Sequence, residues 1–172
     1  MTPGVDLNLN AAVPETPVVD CYQRLAQLGI VLPESPPPIG NFVSHTRVGS
    51  LLFLSGQGPC TNEGFLHTGK VGIDVTAEQA YAHARLTGVN LIAVLHEVLG
   101  DLSRVVKVVK LFGMVNAKPD FVAHPSVVNG CSDLLIEVFG PQVGTHARSA
   151  VGMGSLPNNI TIEIEAIVEI KP

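Results

Sequence analysis

Apolar residues recur with the 3.6-residue period of a helix in two segments of this chain, and a third helical segment follows them. The first segment covers residues 18–28 and follows Thr16-Pro17, which has the pattern of an N-cap and a first helical proline. The second covers residues 77–99, behind a capping-box pattern that begins at Thr76. The third covers residues 125–139 and stops before a Gly-Pro pair. The pattern therefore predicts one short helix and two long ones.

Strand patterns occupy most of the remaining chain. Residues 42–47 and 51–55 flank a glycine-containing turn and predict a hairpin, and the glycine-rich loop after them has room for one more short strand. Residues 105–115 are almost continuously apolar and β-branched, which predicts a central strand buried on both faces. Residues 145–153 form another candidate strand, and residues 160–170 alternate between an apolar face and a face that is polar except at Ile167. This order predicts an α+β fold with one mixed sheet and both long helices on one face.

The composition indicates that the other face of this sheet is covered by a second copy of the chain. Apolar residues make up 46% of the 172 residues and charged residues only 15%, against about 25% charged residues in a typical soluble domain. A sheet face rich in valine and isoleucine is unfavourable in water, so we expect oligomerisation through the sheet.

The net charge and the cysteines limit the classes of partner. A formal net charge of −5, without any basic run, disfavours nucleic acid. Cys21, Cys60 and Cys131 form no CxxC pair, so neither a zinc site nor a disulfide framework is expected. No apolar run approaches the length of a membrane span, and the first residues lack the pattern of a signal peptide. We therefore expect a cytoplasmic protein without a membrane partner.

Candidate chemistry is concentrated near the C-terminus, where Arg148 precedes Glu163 by fifteen residues. If the two strands that carry them form a hairpin, Arg148 lies opposite Glu163 or Glu165. A guanidinium binds a carboxylate in a bidentate manner, whereas a carboxyl group among apolar neighbours has a raised pKa and can act as a general acid or base. The alternative is an ordinary cross-strand ion pair. His146 is expected either close to this pocket or at its rim.

The residues around this pair resemble the hallmark of the YjgF/Rid proteins, the reactive intermediate deaminases that are also labelled L-PSP endoribonucleases. The matching motifs are Ala147-Arg148-Ser149, Leu156-Pro157 and Ile162–Ala166, with support from Ile39-Gly40, Phe42-Val43 and Leu54–Gln57. The resemblance covers about residues 38–170. Residues 39–172 are accordingly expected to form the family domain, and residues 1–38 an added tail, short helix and proline-rich connector.

The resemblance implies a chorismate-mutase-like fold, a homotrimer built as a barrel of sheets with ligand sites in the clefts between subunits, and no cofactor or metal. The implied reaction is the hydrolysis of enamines and imines, such as 2-aminoacrylate, to 2-keto acids and ammonia. Arg148 then corresponds to the arginine that binds the substrate carboxylate, and Glu163 to the glutamate that positions or activates water. Glu165 becomes the expected structural partner of Arg148. The other pocket residues that the resemblance implies are Gly56, Ala150, Phe42 and Asn129.

Three departures from the family pattern leave other functions open. Phe42 stands where many members have tyrosine, Ala150 replaces a common cysteine, and Gly152 replaces a common acidic residue. One alternative is therefore a non-catalytic protein that binds a small carboxylic acid through Arg148. Another is a ribonuclease or translation inhibitor, against which the acidic balance of the chain argues.

Overall fold

The computed structural model describes residues 20–35 and 37–172. In chain order, the helices and strands of these residues are α1 (Cys21–Gln27), β1 (His45–Val48), β2 (Leu51–Gln57), α2 (Ala77–Leu99), β3 (Val105–Asn116), α3 (His124–Gly144), β4 (Ala147–Met153) and β5 (Ile162–Ile170). The predicted α+β class is confirmed. The N-cap predicted at Thr16-Pro17 lies outside the described residues, and the glycine-rich loop forms isolated bridges rather than a further strand.

All five strands belong to one mixed sheet in the order β1-β2-β5-β3-β4. β1 and β2 form the predicted hairpin around Gly49, and β5 pairs with β2 and β3 in antiparallel fashion. β3 and β4 are parallel and are joined by α3, the usual way to connect parallel neighbours. The predicted hairpin between β4 and β5 is wrong, because β3 lies between these two strands and pairs with both.

Both long helices pack against one face of the sheet, as predicted. α2 begins with the predicted capping box, in which the side chains of Thr76 and Gln79 each accept the backbone N–H of the other residue. α3 keeps helical backbone up to Gly140, whose φ of 80° and ψ of 164° interrupt the helix. The predicted break at Gly140-Pro141 is therefore confirmed, although a last turn extends the element to Gly144.

Neither long helix covers the opposite face of the sheet, which we call the open face. β5 buries every second residue from Ile162 onward, which confirms its predicted alternation. β3 is buried only on its helix side, where Leu111 is 0% exposed, whereas Val106 and Val109 are 40% and 36% exposed. The prediction that β3 is buried on both faces is thus wrong for the single chain. Phe53 is also exposed, so the open face is an apolar surface without a cover.

The buried side chain of Asn116, at the end of β3, ties together loops at one end of the sheet. Its Nδ2 lies within hydrogen-bonding distance of Gly69 O at 3.4 Å, Asn159 Oδ1 at 3.0 Å and Ile160 O at 3.1 Å. Its Oδ1 accepts a hydrogen bond from Lys70 Nζ at 2.8 Å. Because the Asn116 side chain is 0% exposed, water cannot replace these bonds. The cluster therefore fixes the segment that leads into β5.

Replacing Asn116 with alanine should lower the free energy of unfolding by about 2–4 kcal/mol, because buried acceptors lose their donor. Urea unfolding followed by circular dichroism measures this change. The exposed Asn62 is the matched control, and Asn62→Ala should change the free energy of unfolding by less than about 0.5 kcal/mol. An Asn116→Ala protein as stable as the original would contradict the role assigned to this cluster.

Candidate functional site

Arg148 points from β4 toward α3 rather than across the sheet. Its Nη1 donates to Ser132 Oγ at 2.8 Å, and its Nη2 donates to Asn129 Oδ1 at 2.6 Å and to Pro125 O at 3.2 Å. These α3 residues are four and three positions apart and share one face of the helix. Among the described residues, no carboxylate forms an ion pair with Arg148. Neutral groups therefore hold the guanidinium, and its charge stays available for an anionic ligand.

His146 lies behind Arg148 and contacts it through Ser132. The Ser132 side chain is 7% exposed. Its Oγ lies 2.9 Å from His146 Nε2, and His146 Nδ1 lies 2.6 Å from Gly144 O. Burial lowers the pKa of His146, the bond to Gly144 opposes this, and the charges of Arg148 and Lys107 lower it further. Sequence reasoning missed Ser132, although its helical spacing from Asn129 was a usable signal.

β4 presents Arg148, Ala150 and Gly152 on one side, since alternate residues of a strand share a face. Ala150 packs against the edge of the hydrophobic core. A side chain at residue 152 would collide with the His124 ring, so the imidazole occupies the space above Gly152. This contact of His124 with β4 was not predicted from the sequence. The glycine at residue 152 was the one indication that another group lies close to the strand there.

Glu163 lies elsewhere, in a cavity of about 380 Å³ near the end of β2 and the start of β5. Phe42 and Gly56 border the same cavity. Apolar side chains such as Ile39 and Leu66 form much of its wall, and Glu163 is the one charged residue among the described residues that line it. This cavity provides a carboxyl group in an apolar setting.

The carboxyl group of Glu163 rests against the backbone of Gly56. A Cβ atom at residue 56 would come within 2.9 Å of Glu163 Cγ, so the close approach requires glycine. Burial raises the pKa of Glu163, and the nearby charge of Glu165 raises it further. A carboxyl group with a raised pKa is suited to proton transfer near neutral pH.

Arg148 and Glu163 do not meet within one chain. Arg148 pairs with Leu111 of β3, whereas Glu163 pairs with Met114, three residues further along. An odd offset places the two side chains on opposite faces, and strand geometry puts their Cα atoms about 14 Å apart. The cross-strand ion pair is therefore wrong. The expected pairing of Arg148 with Glu165 is also wrong, because Glu165 shares the face of Glu163.

The candidate site residues fall into two groups on opposite faces of the sheet. The group on the helix side is Arg148, Asn129 and Ala150, and the group at the cavity is Glu163, Gly56 and Phe42. We call them the arginine half-site and the glutamate half-site. The first offers a fixed cation and the second a proton acceptor.

Comparisons with known proteins identify the family of this chain. A family model described as YjgF/chorismate mutase-like, putative endoribonuclease matches residues 22–169. The chain belongs to the YjgF family. Protein TCP17 of Trypanosoma cruzi is 42% identical over 147 residues, which cover 86% of this chain and 92% of that protein. The 2-iminobutanoate/2-iminopropanoate deaminase of Dermatophagoides farinae is 34% identical over 145 residues, which cover 83% of this chain and 95% of that protein.

A solved structure has the same fold. The crystal structure of protein Atu1372 from Agrobacterium tumefaciens, whose function is unknown, matches with a TM-score of 0.81 and 44% identity over 88% of this chain and 94% of that chain.

In the described part of this YjgF protein, no cluster of three or more His, Cys, Asp or Glu residues could hold a metal ion. No helix within residues 20–35 and 37–172 has the length and apolar character to cross a membrane.

Replacing Glu165 with glutamine should lower the pKa of Glu163, because it removes the neighbouring negative charge while burial remains. Titration of the carboxyl carbons by NMR measures this pKa. Glu169→Gln, further along β5, is the control and should leave the pKa of Glu163 unchanged. A pKa of Glu163 at or below the ordinary glutamate range in the unsubstituted protein would contradict the apolar setting.

Proposed function

We propose that this protein hydrolyses reactive 2-imino acids, and the enamines that tautomerise to them, to 2-keto acids and ammonia. The sites lie between two copies of the chain in a homotrimer. The observation that carries the proposal is the placement of an available cation, Arg148, and a proton acceptor, Glu163, on opposite faces of one sheet. The family membership and the deaminase relative support the class of reaction.

Assembly of copies through the sheet would bring the two half-sites together. The open face exposes apolar side chains, including Phe53 and Val106, whose burial against another copy is favourable. β4 is an edge strand, so the arginine half-site lies at the border of the sheet. Docking this border beside the cavity of the next copy would place Arg148 of one copy near Glu163 of its neighbour. Three such head-to-tail contacts close a ring.

Arg148 would bind the substrate carboxylate through charge-assisted N–H···O bonds from the N–H groups that α3 does not engage. Asn129 and Ser132 hold its guanidinium from behind, which fixes the direction of these donors. The imine carbon is then held beside the cavity of the neighbouring copy, where Glu163 can hold a water molecule. Such positioning accounts for a large share of catalysis in addition reactions.

Glu163 would accept a proton from water as the water oxygen adds to the carbon of the protonated imine, which leaves a neutral carbinolamine. Glu163 next protonates the amino nitrogen. The carboxylate then takes the hydroxyl proton as the C–N bond breaks, so ammonia leaves and the C=O bond forms. Loss of that proton to solvent restores the ionised carboxylate.

Arg148→Ala and Glu163→Gln should each abolish most turnover while the fold and the oligomer persist. The first removes charge-assisted bonds to the carboxylate, and the second removes a general base, an effect of about 10²–10⁴ on kcat. Release of 2-keto acid from an imine generated by an amino-acid oxidase measures the activity. Arg85→Ala, which breaks an ion pair with Glu137 between α2 and α3, is the matched control and should retain activity. Unchanged turnover by Arg148→Ala would overturn the assignment.

Mixed trimers of Arg148→Ala and Glu163→Gln subunits should regain activity that neither variant has alone. If each site takes Arg148 from one subunit and Glu163 from the next, every mixed trimer keeps about a third of its sites intact, because one of its three junctions joins an unsubstituted Arg148 to an unsubstituted Glu163. Co-expression of the two variants with different affinity tags isolates these mixed trimers. Mixed trimers as inactive as their parents would contradict a shared site.

The rate should depend on pH through Glu163. Glu163 must be ionised to accept a proton, so kcat/KM should fall as the pH drops through the raised pKa of this group. The apparent pKa of the acid limb of the kcat/KM profile should therefore lie above the ordinary glutamate range, and it should move to lower pH in Glu165→Gln. A pH profile measured with an imine substrate tests this, and an acid limb that does not respond to Glu165→Gln would argue against Glu163 as the base.

A second candidate function is the binding of a small carboxylic acid without catalysis. Phe42 and Ala150 favour it, since the half-sites lack the hydroxyl and thiol groups common in the family. Thermal stabilisation by a 2-keto acid, without turnover of any imine by the unsubstituted protein, would support this function over deamination. A cytoplasmic location stays a prediction, as does the division of the chain at residue 38.

A further inference from the structure

A chain of hydrogen bonds behind Arg148 has its proton positions fixed at both ends. The guanidinium can only donate, so Ser132 Oγ accepts from Arg148 Nη1. The carbonyl of Gly144 can only accept, so His146 Nδ1 carries the ring proton of the neutral imidazole. His146 Nε2 is then an acceptor, and the Ser132 hydroxyl donates to it. Each hydrogen atom in this series of hydrogen bonds therefore has one position.

We propose that Ser132 and His146 are positioning residues for carboxylate recognition by Arg148. The neutral imidazole fixes the direction of the Ser132 hydroxyl, and the hydroxyl oxygen fixes one arm of the guanidinium. Asn129 fixes the other arm at 2.6 Å, so the plane of the guanidinium is set. The inference rests on the proposed function, in which Arg148 binds the substrate carboxylate.

The Gly144 carbonyl, at the far end of this series of hydrogen bonds, is held in place by α3. A Cβ atom at Gly144 would come within 2.7 Å of the Ile136 Cα atom, so the backbone at residue 144 is pressed against α3. Gly140 interrupts the helix between Ser132 and Gly144, and this contact holds the Gly144 carbonyl against the part of α3 that carries Ser132. The His146 ring is hydrogen-bonded to both Ser132 Oγ and the Gly144 carbonyl, so the position of these two groups determines its orientation.

Protonation of His146 would disrupt the arrangement of donors and acceptors from Arg148 through Ser132 to His146. Nε2–H and Arg148 Nη1–H would then both point at Ser132 Oγ, and the serine proton would lose its acceptor, since no other partner contacts Ser132 Oγ among the described residues. Burial disfavours the charged imidazole, and the nearby charges of Arg148 and Lys107 add to this effect. The setting thus favours the neutral imidazole, which is the state that orders the Ser132 hydroxyl, although the bond to Gly144 acts in the opposite direction.

Loss of this order should affect binding of the carboxylate more than the chemical step. Directed N–H···O bonds need a fixed guanidinium plane, and a guanidinium free to rotate binds the acid group more weakly. The proton transfers involve Glu163 of the other half-site and do not use Ser132 or His146. Substitutions here should raise Kd and KM and leave kcat at saturating substrate nearly unchanged.

The test compares Ser132→Ala, His146→Ala and His146→Gln with the unsubstituted oligomer, using 2-oxobutanoate as the binding probe in calorimetry and a generated 2-imino acid for kinetics. Both alanine variants should weaken binding of 2-oxobutanoate and raise KM about tenfold, with kcat within about threefold. His146→Gln should restore most of the affinity, because its amide oxygen can accept from Ser132 where Nε2 did. His96→Ala removes another half-buried imidazole that is bonded to a hydroxyl, at Tyr22, and should change neither quantity.

The outcomes separate this inference from the proposed function. If Arg148→Ala leaves binding of 2-oxobutanoate unchanged, the proposed function fails and the inference fails with it. If Arg148→Ala abolishes binding but His146→Ala does not weaken it, only the inference is overturned. A His146→Gln variant as weak as His146→Ala would also overturn it, since an acceptor at this position would then not matter.

Discussion

The pairing of β4 and β5 with opposite sides of β3 is the constraint on which the rest of the structure depends. It fixes the register of Arg148 against Leu111 and of Glu163 against Met114. Because these β3 residues are an odd number of positions apart, the two functional side chains leave the sheet on opposite faces. One consequence is that the single chain carries two incomplete half-sites. The other is that each half-site has its own supporting structure, α3 for Arg148 and the cavity wall for Glu163.

Local patterns in the sequence predicted most elements of the fold. The capping box at Thr76, the break at Gly140 and the alternation of β5 each depend on neighbouring residues, and each was confirmed. The pairing of β4 with β5 was wrong because a short connection was taken as a hairpin. A helix between two strands favours a parallel crossover, and the β3-α3-β4 segment uses this connection. Strand order is set by such long-range choices, which apolar periodicity does not contain.

The candidate site was predicted only in part. The family motif pointed to Arg148 and Glu163, and the structure adds where each side chain lies and what holds it. Ser132 and His124 carry no motif of their own, and each is recognised by what it contacts: a guanidinium in the first case and the bare backbone of Gly152 in the second. The expected ion pair was wrong for the same reason as the hairpin. A charged pair on two strands means little until the order of the strands is known.

The central claim is that one ligand is bound by Arg148 of one copy and by Glu163 of another. A crystal structure of the assembled protein with a bound 2-keto acid tests it most directly. The account predicts the carboxylate of the ligand on the Arg148 guanidinium, and its keto carbon beside the Glu163 carboxyl group of the neighbouring copy. A ligand that lies in the Glu163 cavity of one chain without touching Arg148 of any copy would contradict the account.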